Sequence, residues 1–446
     1  MFSELLLDKR LMKSIEMLDY KQPTDVQIEV IPKIIAGNDL LVSASTGTGK
    51  TAAYLLPTLH RMLENKGEKE GTRTLILAPT RELAQQIVKN CQTLARFTHI
   101  KVGLITGGAD FKYQKSMLRR DPEFIVGTPG RLLEHINKKT TCFDNLESLI
   151  IDEADRMLDM GFNEDVLRIC ENCESASQNL MFSATLNNRA VSEFAAKVMD
   201  SPIKISIGNK RGQSESITQQ IVLADNDAHK EKLVAWLVEN ETYTKALIFT
   251  KTRKQASRVC GILRGQKQKV NVLHGEIKQD ERNETMGMFR SGRISLLVAT
   301  DVAARGLDIN DVDLVINFSL PRDGDDYVHR IGRTGRAGAT GSAISFVAPE
   351  DWNSMISLER YLQISFERRQ IKSLQGHFKA PKKVKSSGKI SSKKKKSSSN
   401  ATVKKNTSKI ESGKKINGGK TDKRSESKKV KIIDGFAPFT KKKSEK

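Results

Sequence analysis

Short runs of consecutive apolar residues recur in the first half of the chain, separated by stretches of helical period. Leu40-Leu41-Val42, Leu75-Ile76-Leu77-Ala78, Glu123-Phe124-Ile125-Val126, Leu149-Ile150-Ile151 and Leu180-Met181-Phe182 are such runs. A strand with one wet face alternates, whereas consecutive apolar positions suit strands covered on both faces, as in the parallel sheet of an α/β domain. The first domain is therefore predicted to be doubly wound, over residues 1–207. The polar stretch Gly208-Asn209-Lys210-Arg211-Gly212-Gln213-Ser214-Glu215-Ser216 breaks the rhythm and predicts a linker at 208–218. The rhythm resumes with Ala246-Leu247-Ile248-Phe249, Ile294 to Val298 and Leu314-Val315-Ile316, so a second α/β domain is predicted over 219–370. The strand-end surfaces of the two domains would face each other across a cleft.

Charge separates the rest of the chain from these domains. Net charge is +22, yet Lys379 to Lys446 alone hold 24 Lys and Arg against 5 Asp and Glu, a net +19. Residues 371–446 are predicted to be a disordered tail, because Lys, Ser, Gly, Asn and Thr offer too little apolar surface to offset the entropy of folding. No apolar run is long enough for a membrane span, and the start Met1-Phe2-Ser3-Glu4 lacks a signal-peptide layout, so a cytosolic or nuclear location is expected. The five cysteines, Cys91, Cys142, Cys170, Cys173 and Cys260, are scattered and odd in number, which argues against a disulfide framework. Cys170 and Cys173 form one C-x-x-C with no second ligand pair, and their spacing fits one face of a helix.

Chemistry concentrates at the ends of the apolar runs. Ala44-Ser45-Thr46-Gly47-Thr48-Gly49-Lys50-Thr51 follows a strand and precedes the helix-period run Ala52 to Leu63. Its glycines let backbone N–H groups face an anion at the positive end of that helix, Lys50 can reach β and γ phosphates, and Thr51 can ligate magnesium. Ala44 stands where the general pattern has its first glycine, and a plain glycine- and threonine-rich turn would show similar spacing. Asp152-Glu153-Ala154-Asp155 follows Leu149-Ile150-Ile151, which puts carboxylates at a strand's C-terminal edge. An isolated acidic cluster there is more often a helix cap; beside a phosphate loop, Asp152 would hold magnesium and Glu153 would orient and deprotonate the attacking water. His329-Arg330-Ile331-Gly332-Arg333-Thr334-Gly335-Arg336 carries arginines suited to γ-phosphate charge, and a solvated basic patch is the competing account.

Taken together, these segments resemble the DEAD-box RNA helicases over roughly residues 2 to 365. Also present, in order, are Pro79-Thr80-Arg81-Glu82-Leu83-Ala84, Gly107-Gly108, Thr128-Pro129-Gly130-Arg131, Ser183-Ala184-Thr185, Gln279 with Arg282, and Ala299-Thr300-Asp301-Val302-Ala303-Ala304-Arg305-Gly306-Leu307-Asp308-Ile309. The resemblance implies two RecA-like domains, ATP and Mg2+ as cofactors, and RNA as partner. It implies that Gln27, within Tyr20-Lys21-Gln22-Pro23-Thr24-Asp25-Val26-Gln27, reads adenine while Tyr20 stacks, although Asp19 stands where the family usually has glycine. Asp308 would contact ribose, and Arg333 and Arg336 would be the arginine fingers. Asp155, Ser183, Thr185, His329 and Arg330 would couple hydrolysis to closure. Pro79, Thr80, Arg81, Gly107, Gly108, Thr128, Arg131, Arg282 and Thr300 would grip the RNA backbone, residue types that hold phosphates and sugars without reading bases.

Within the family, Phe2 to Leu7, the segment Ala52 to Pro57, Asp159-Met160-Gly161-Phe162 and the basic tail look most like the bacterial SrmB or RhlE type. That likeness implies work on ribosomal RNA in large-subunit assembly, possible pre-ribosomal partners, a role in the cold, and a cytoplasmic site of action, or a nucleolar one in a eukaryote. The tail would tether RNA, and Gly435-Phe436-Ala437-Pro438-Phe439 offers a short docking segment or a chance composition. An ATP-gated RNA clamp and, less well matched, a DNA helicase are the alternatives.

Overall fold

The computed structural model describes residues 1–379 apart from 45–47, 66–70, 185–188, 208–215, 305–308, 310–311, 322 and 336–338; residues 380–446 lie outside it. Seven strands of the first lobe, β1 (Leu40–Ala44), β2 (Thr74–Leu77), β3 (Val102–Ile105), β4 (Phe124–Gly127), β5 (Ser148–Ile151), β6 (Gln178–Ser183) and β7 (Ile203–Ile207), form one sheet in the order β3-β4-β2-β5-β6-β1-β7. Every pairing in it is parallel. The consecutive apolar pattern has the expected cause. Leu40, Val42, Ile76, Val126, Ile150, Leu180 and Phe182 enter a core on one face. Leu41, Leu75, Leu77, Ile125, Leu149, Ile151 and Met181 enter a second core on the other.

The second lobe repeats the plan with β8 (Ile217–Leu223), β9 (Ala246–Thr250), β10 (Val270–Leu273), β11 (Leu296–Thr300), β12 (Leu314–Asn317), β13 (Gly341–Val347) and β14 (Glu367–Arg369). Their order is β10-β11-β9-β12-β13-β8-β14, again parallel throughout. Ala246, Ile248, Leu296 and Val298 face one core, and Leu247, Phe249, Leu297 and Ala299 face another. Parallel strands all end at the same edge of their sheet, so the loops after β1, β2, β4, β5 and β6 are brought together.

Two features differ from the boundaries read in the sequence. Strand β8 begins at Ile217, inside the stretch assigned to the linker. The second lobe also continues past residue 370: Ile371 is buried in its core, Phe378 sets its ring against Trp352 at 6.1 Å, and Asp225 accepts N–H bonds from His377 and Phe378. Apolar side chains at 371, 374 and 378 hold this segment down before the lysine-rich composition takes over. Cys173 falls in the turn just after the helix Asn163–Glu171 and packs, with Cys170, on the same core. Burial pushes both thiols up, Cys170 to about 12, which makes neither a ready nucleophile.

Candidate functional site

Strand β1 carries the chain to the sheet edge at Ala44, and the helix Lys50–Glu64 departs from there with Gly49 as its N-cap at φ 88°. Glycine is required at that point, since the backbone is left-handed and an added Cβ would lie 2.7 Å from Gln27 Nε2. The turn aims the positive end of a long helix at the edge, an anion site by construction. Thr48, Gly49, Lys50 and Thr51 are placed there; Ser45, Thr46 and Gly47 lie outside the described residues.

Lys50 is only 8% exposed, a burial that lysine tolerates beside anions. Asp152 and Asp155, delivered by the end of β5, supply them. Asp152 accepts the Tyr54 hydroxyl at 2.9 Å and the Glu153 N–H at 2.9 Å. Burial pushes its carboxyl up to about 6, opposed by the neighbouring Lys50 ammonium. Burial raises Asp155 as well, again against Lys50, and Asp155 accepts the Ala184 N–H at 3.0 Å. Ser43 donates to the Ala184 carbonyl at 3.0 Å, so the loops after β1, β5 and β6 close into one network beside buried Ser183. Thr185 lies outside the described residues.

Glu153 has φ 50°, a left-handed conformation that costs a non-glycine residue about 1–3 kcal/mol and recurs at functional sites. It is the N-cap of the short helix Ala154–Asp159, and its Oε2 is buried without a hydrogen bond, 3.5 Å from Arg156 Nε. The Tyr54 hydroxyl meets both Asp152 and Thr51, which ties the two residues expected to hold magnesium. Among the described residues no group of three or more His, Cys, Asp or Glu gathers as a metal cage. One carboxylate and a hydroxyl beside an anion site fit magnesium, which commonly takes its other ligands from phosphates and water.

Gln27 closes on its own surroundings: its Oε1 accepts from Thr24 N at 3.0 Å and its Nε2 donates to the Gly49 carbonyl at 3.2 Å. The amide expected to read adenine thus also braces the N-cap of the phosphate-loop helix. Tyr20 is 44% exposed and lies beside Phe2, with ring centroids 6.4 Å apart. Asp19 takes φ 55°, the left-handed turn that glycine would adopt, and aspartate is among the few residues that tolerate it.

On the same edge, Thr80 caps the helix Arg81–Leu94 through Leu83 N, and Thr128 precedes the helix Pro129–Asn137. Pro79 is buried beside Thr80. The Arg81 guanidinium lies flat against Gly107 and Gly108, where a Cβ on Gly108 would sit 2.2 Å from Arg81 Nη1. Arg131 donates to the Ala109 carbonyl at 2.7 Å and pairs with Glu134 at 3.0 Å. In the second lobe Arg282, expected among the RNA contacts, pairs with Glu82 of the first lobe at 2.6 Å and donates to the Ala303 carbonyl at 2.6 Å. Gln279 joins Glu82 at 3.2 Å. Thr300 is buried at the end of β11.

Arg330 is held within its own lobe, donating to both Asp301 oxygens at 2.6 and 2.7 Å, to Asn317 and to the Ser319 carbonyl. His329 and Arg333 line a cleft that Arg156 of the first lobe also lines. Asp308 and Arg336 lie outside the described residues. Sequence reasoning passed over Tyr54, Glu82 and Arg156. Glu82 sits inside a quoted motif and Arg156 directly follows one, so adjacency was the available signal; Tyr54 was visible only as a residue one turn beyond Lys50.

A family model described as DEAD/DEAH box helicase matches residues 24–194, and one described as helicase conserved C-terminal domain matches 228–338. The chain is 40% identical over 391 residues to the ATP-dependent RNA helicase SrmB of Haemophilus influenzae, covering 87% of this chain and 89% of that protein. It is 40% identical over 381 residues to the SrmB of Escherichia coli, covering 85% and 86%. Among solved structures, S. cerevisiae Dbp5 bound to RNA and ADP BeF3 superposes with a TM-score of 0.75 at 31% identity, over 82% of this chain and 95% of Dbp5. Mss116 bound to ssRNA and UDP-BeF gives 0.74 at 29%, over 83% and 80%.

Proposed function

Because the chain belongs to the DEAD-box family of ATP-dependent RNA helicases, SrmB-like in sequence, we propose that it opens short duplexes in structured ribosomal RNA during assembly of the large ribosomal subunit. The observation that carries the catalytic reading is the buried Lys50 beside Asp152 and Asp155 at the edge of the first sheet. The helix N-terminus and Lys50 bind the β and γ phosphates, while Thr51 and Asp152 hold magnesium, which when bound neutralises phosphate charge. Glu153 orients the attacking water and takes its proton. Arg333 and Arg336 reach the γ phosphate from the second lobe, Asp308 meets the ribose, and Gln27 and Tyr20 take the adenine.

Half of the hydrolytic site stands on each lobe, so turnover requires the lobes to be together. RNA laid across Pro79, Thr80, Arg81, Gly107, Gly108, Thr128, Arg131, Arg282 and Thr300 favours that state, and ATP hydrolysis ends it. A strand bent across both lobes no longer fits a duplex, which parts locally rather than by travel along it. Backbone contacts without base reading suit a substrate defined by structure, and the +19 tail adds sequence-independent attraction to phosphates. Work in the cytoplasm, on pre-ribosomal particles with their ribosomal proteins, completes the reading, with the greatest demand in the cold, where misfolded RNA persists. Crosslinking the protein to cellular RNA and sequencing the fragments tests it: large-subunit ribosomal RNA is expected to dominate, and messenger RNA spread evenly along transcripts would overturn the assignment.

A further inference from the structure

Arg156 has no part in the site assigned above, yet its surroundings are unusual. It lies on the short helix Ala154–Asp159, is 3% exposed, and its Nε and Nη1 atoms lack hydrogen-bond acceptors. A guanidinium stripped of water and left without acceptors is costly, so its retention calls for a reason. The charge closest at hand on its own lobe is the Glu153 carboxylate, whose Oε2 is 3.5 Å from Nε and is itself buried without a donor. From the second lobe, Asp301, His329 and Arg333 line the same cleft. Asp301 is already committed on both oxygens to Arg330. Asp326 lines that cleft too, but Glu153 is the carboxylate that pairs with the Arg156 guanidinium, at 3.5 Å, while the second lobe faces Arg156 from the other side.

We propose that Arg156 is a positioning residue for hydrolysis, which fixes the Glu153 carboxylate for the attacking water only when the second lobe covers it. Three features converge on this. The Glu153 carboxylate, on the N-cap, lies 3.5 Å from the Arg156 guanidinium in the first turn of the helix. The left-handed backbone at Glu153 sets the direction of that side chain at an energetic cost that a structural cap alone would not need. The residues facing Arg156 come from the lobe that brings the arginines, so the approach that completes the site also covers Arg156, and loss of water strengthens its attraction to Glu153. With the lobes apart, the pair is a solvated surface contact and holds Glu153 weakly.

This inference rests on Glu153 being the water-activating group, and the test separates the two. Full-length protein is assayed for ATP hydrolysis with saturating single-stranded RNA, in single-turnover format so that slow variants remain measurable. Arg156→Gln is expected to lower kcat about a hundredfold, the scale of a misplaced catalytic group, with KM for ATP within about twofold of the parent. Arg156→Lys, which keeps charge without the planar fork, is expected to recover part of that loss. Added to Glu153→Gln, the Arg156→Gln change is expected to cost nothing further, because it acts through the group already removed. Wild-type kcat in both Arg156 variants, a loss confined to KM, or fully additive losses in the double variant would each overturn the proposal. Should Arg156→Gln fail to fold, the split between kcat and KM in Arg156→Lys decides. Normal hydrolysis by Glu153→Gln alone would instead remove the reading of Glu153 on which the inference stands.

Discussion

Asp152 shows what burial does to a single carboxylate. Its carboxyl is raised from 3.8 to about 6 by burial, against the pull of Lys50. A raised carboxyl binds its proton more tightly in the folded state, so it favours the fold at low pH and this contribution is lost as pH rises from about 4 through about 6. Above that window the buried charge costs on the order of 3 kcal/mol. Asp152→Asn keeps a polar partner for Tyr54 and removes the charge. The ligand-free variant is therefore expected to melt several degrees above the parent at about pH 7.5, with the gap closing towards about pH 4, while hydrolysis is lost. Equal melting temperatures at both pH values would show that the buried charge carries no such cost. At this scale the sequence was legible where residue type and adjacency suffice: Lys50, Asp152 and Glu153 could be named from strand-end position. It was silent on Tyr54, Glu82 and Arg156, whose partners lie far along the chain or, for Arg156, whose significance depends on a wall built by the other lobe.

Between elements, the same division appears. Strands buried on both faces, such as β5 with Leu149-Ile150-Ile151, were readable from local pattern. β7, with three of its five residues exposed or nearly so, and β13, which opens on Gly341-Ser342, gave no such run, because an edge position in one case and a polar core contact through Ser345 in the other replace apolar burial. Past residue 370, the anchoring of Phe378 depends on Trp352, on a helix well before it in the chain, and is not a local property. Contacts between elements also set the lobes' mutual position: the helix Arg81–Leu94 presents Glu82 to Arg282 and Gln279 on the helix Gln279–Arg290. Truncating one partner of a largely buried pair leaves the other charge uncompensated. Glu82→Arg is expected to lower RNA-stimulated hydrolysis about tenfold or more through a weaker closed state, and the exchange Glu82→Arg with Arg282→Glu to restore a substantial part. If the double exchange is no better than the single change in a steady-state ATPase assay, the pair does not set closure.

Across the whole molecule, a structured pair of lobes carrying about +3 is joined to a tail carrying +19. Counterion release makes such a tail a source of salt-dependent affinity without specificity. Deleting residues 380–446 is expected to weaken RNA binding and to flatten the plot of log affinity against log salt, while ATP hydrolysis without RNA stays as it was. An unchanged slope in a binding titration would remove the tethering role. Hydrolysis is expected to need both half-sites, with RNA spanning the lobes to bring them together. Steady-state ATP hydrolysis with single-stranded RNA and single-stranded DNA of the same sequence, at equal concentration and salt, tests it most directly. Strong stimulation by RNA and little by DNA is expected, because the 2′-hydroxyl lets a backbone-gripping protein tell the two apart. Equal stimulation by the two, or a rate indifferent to both, would contradict it.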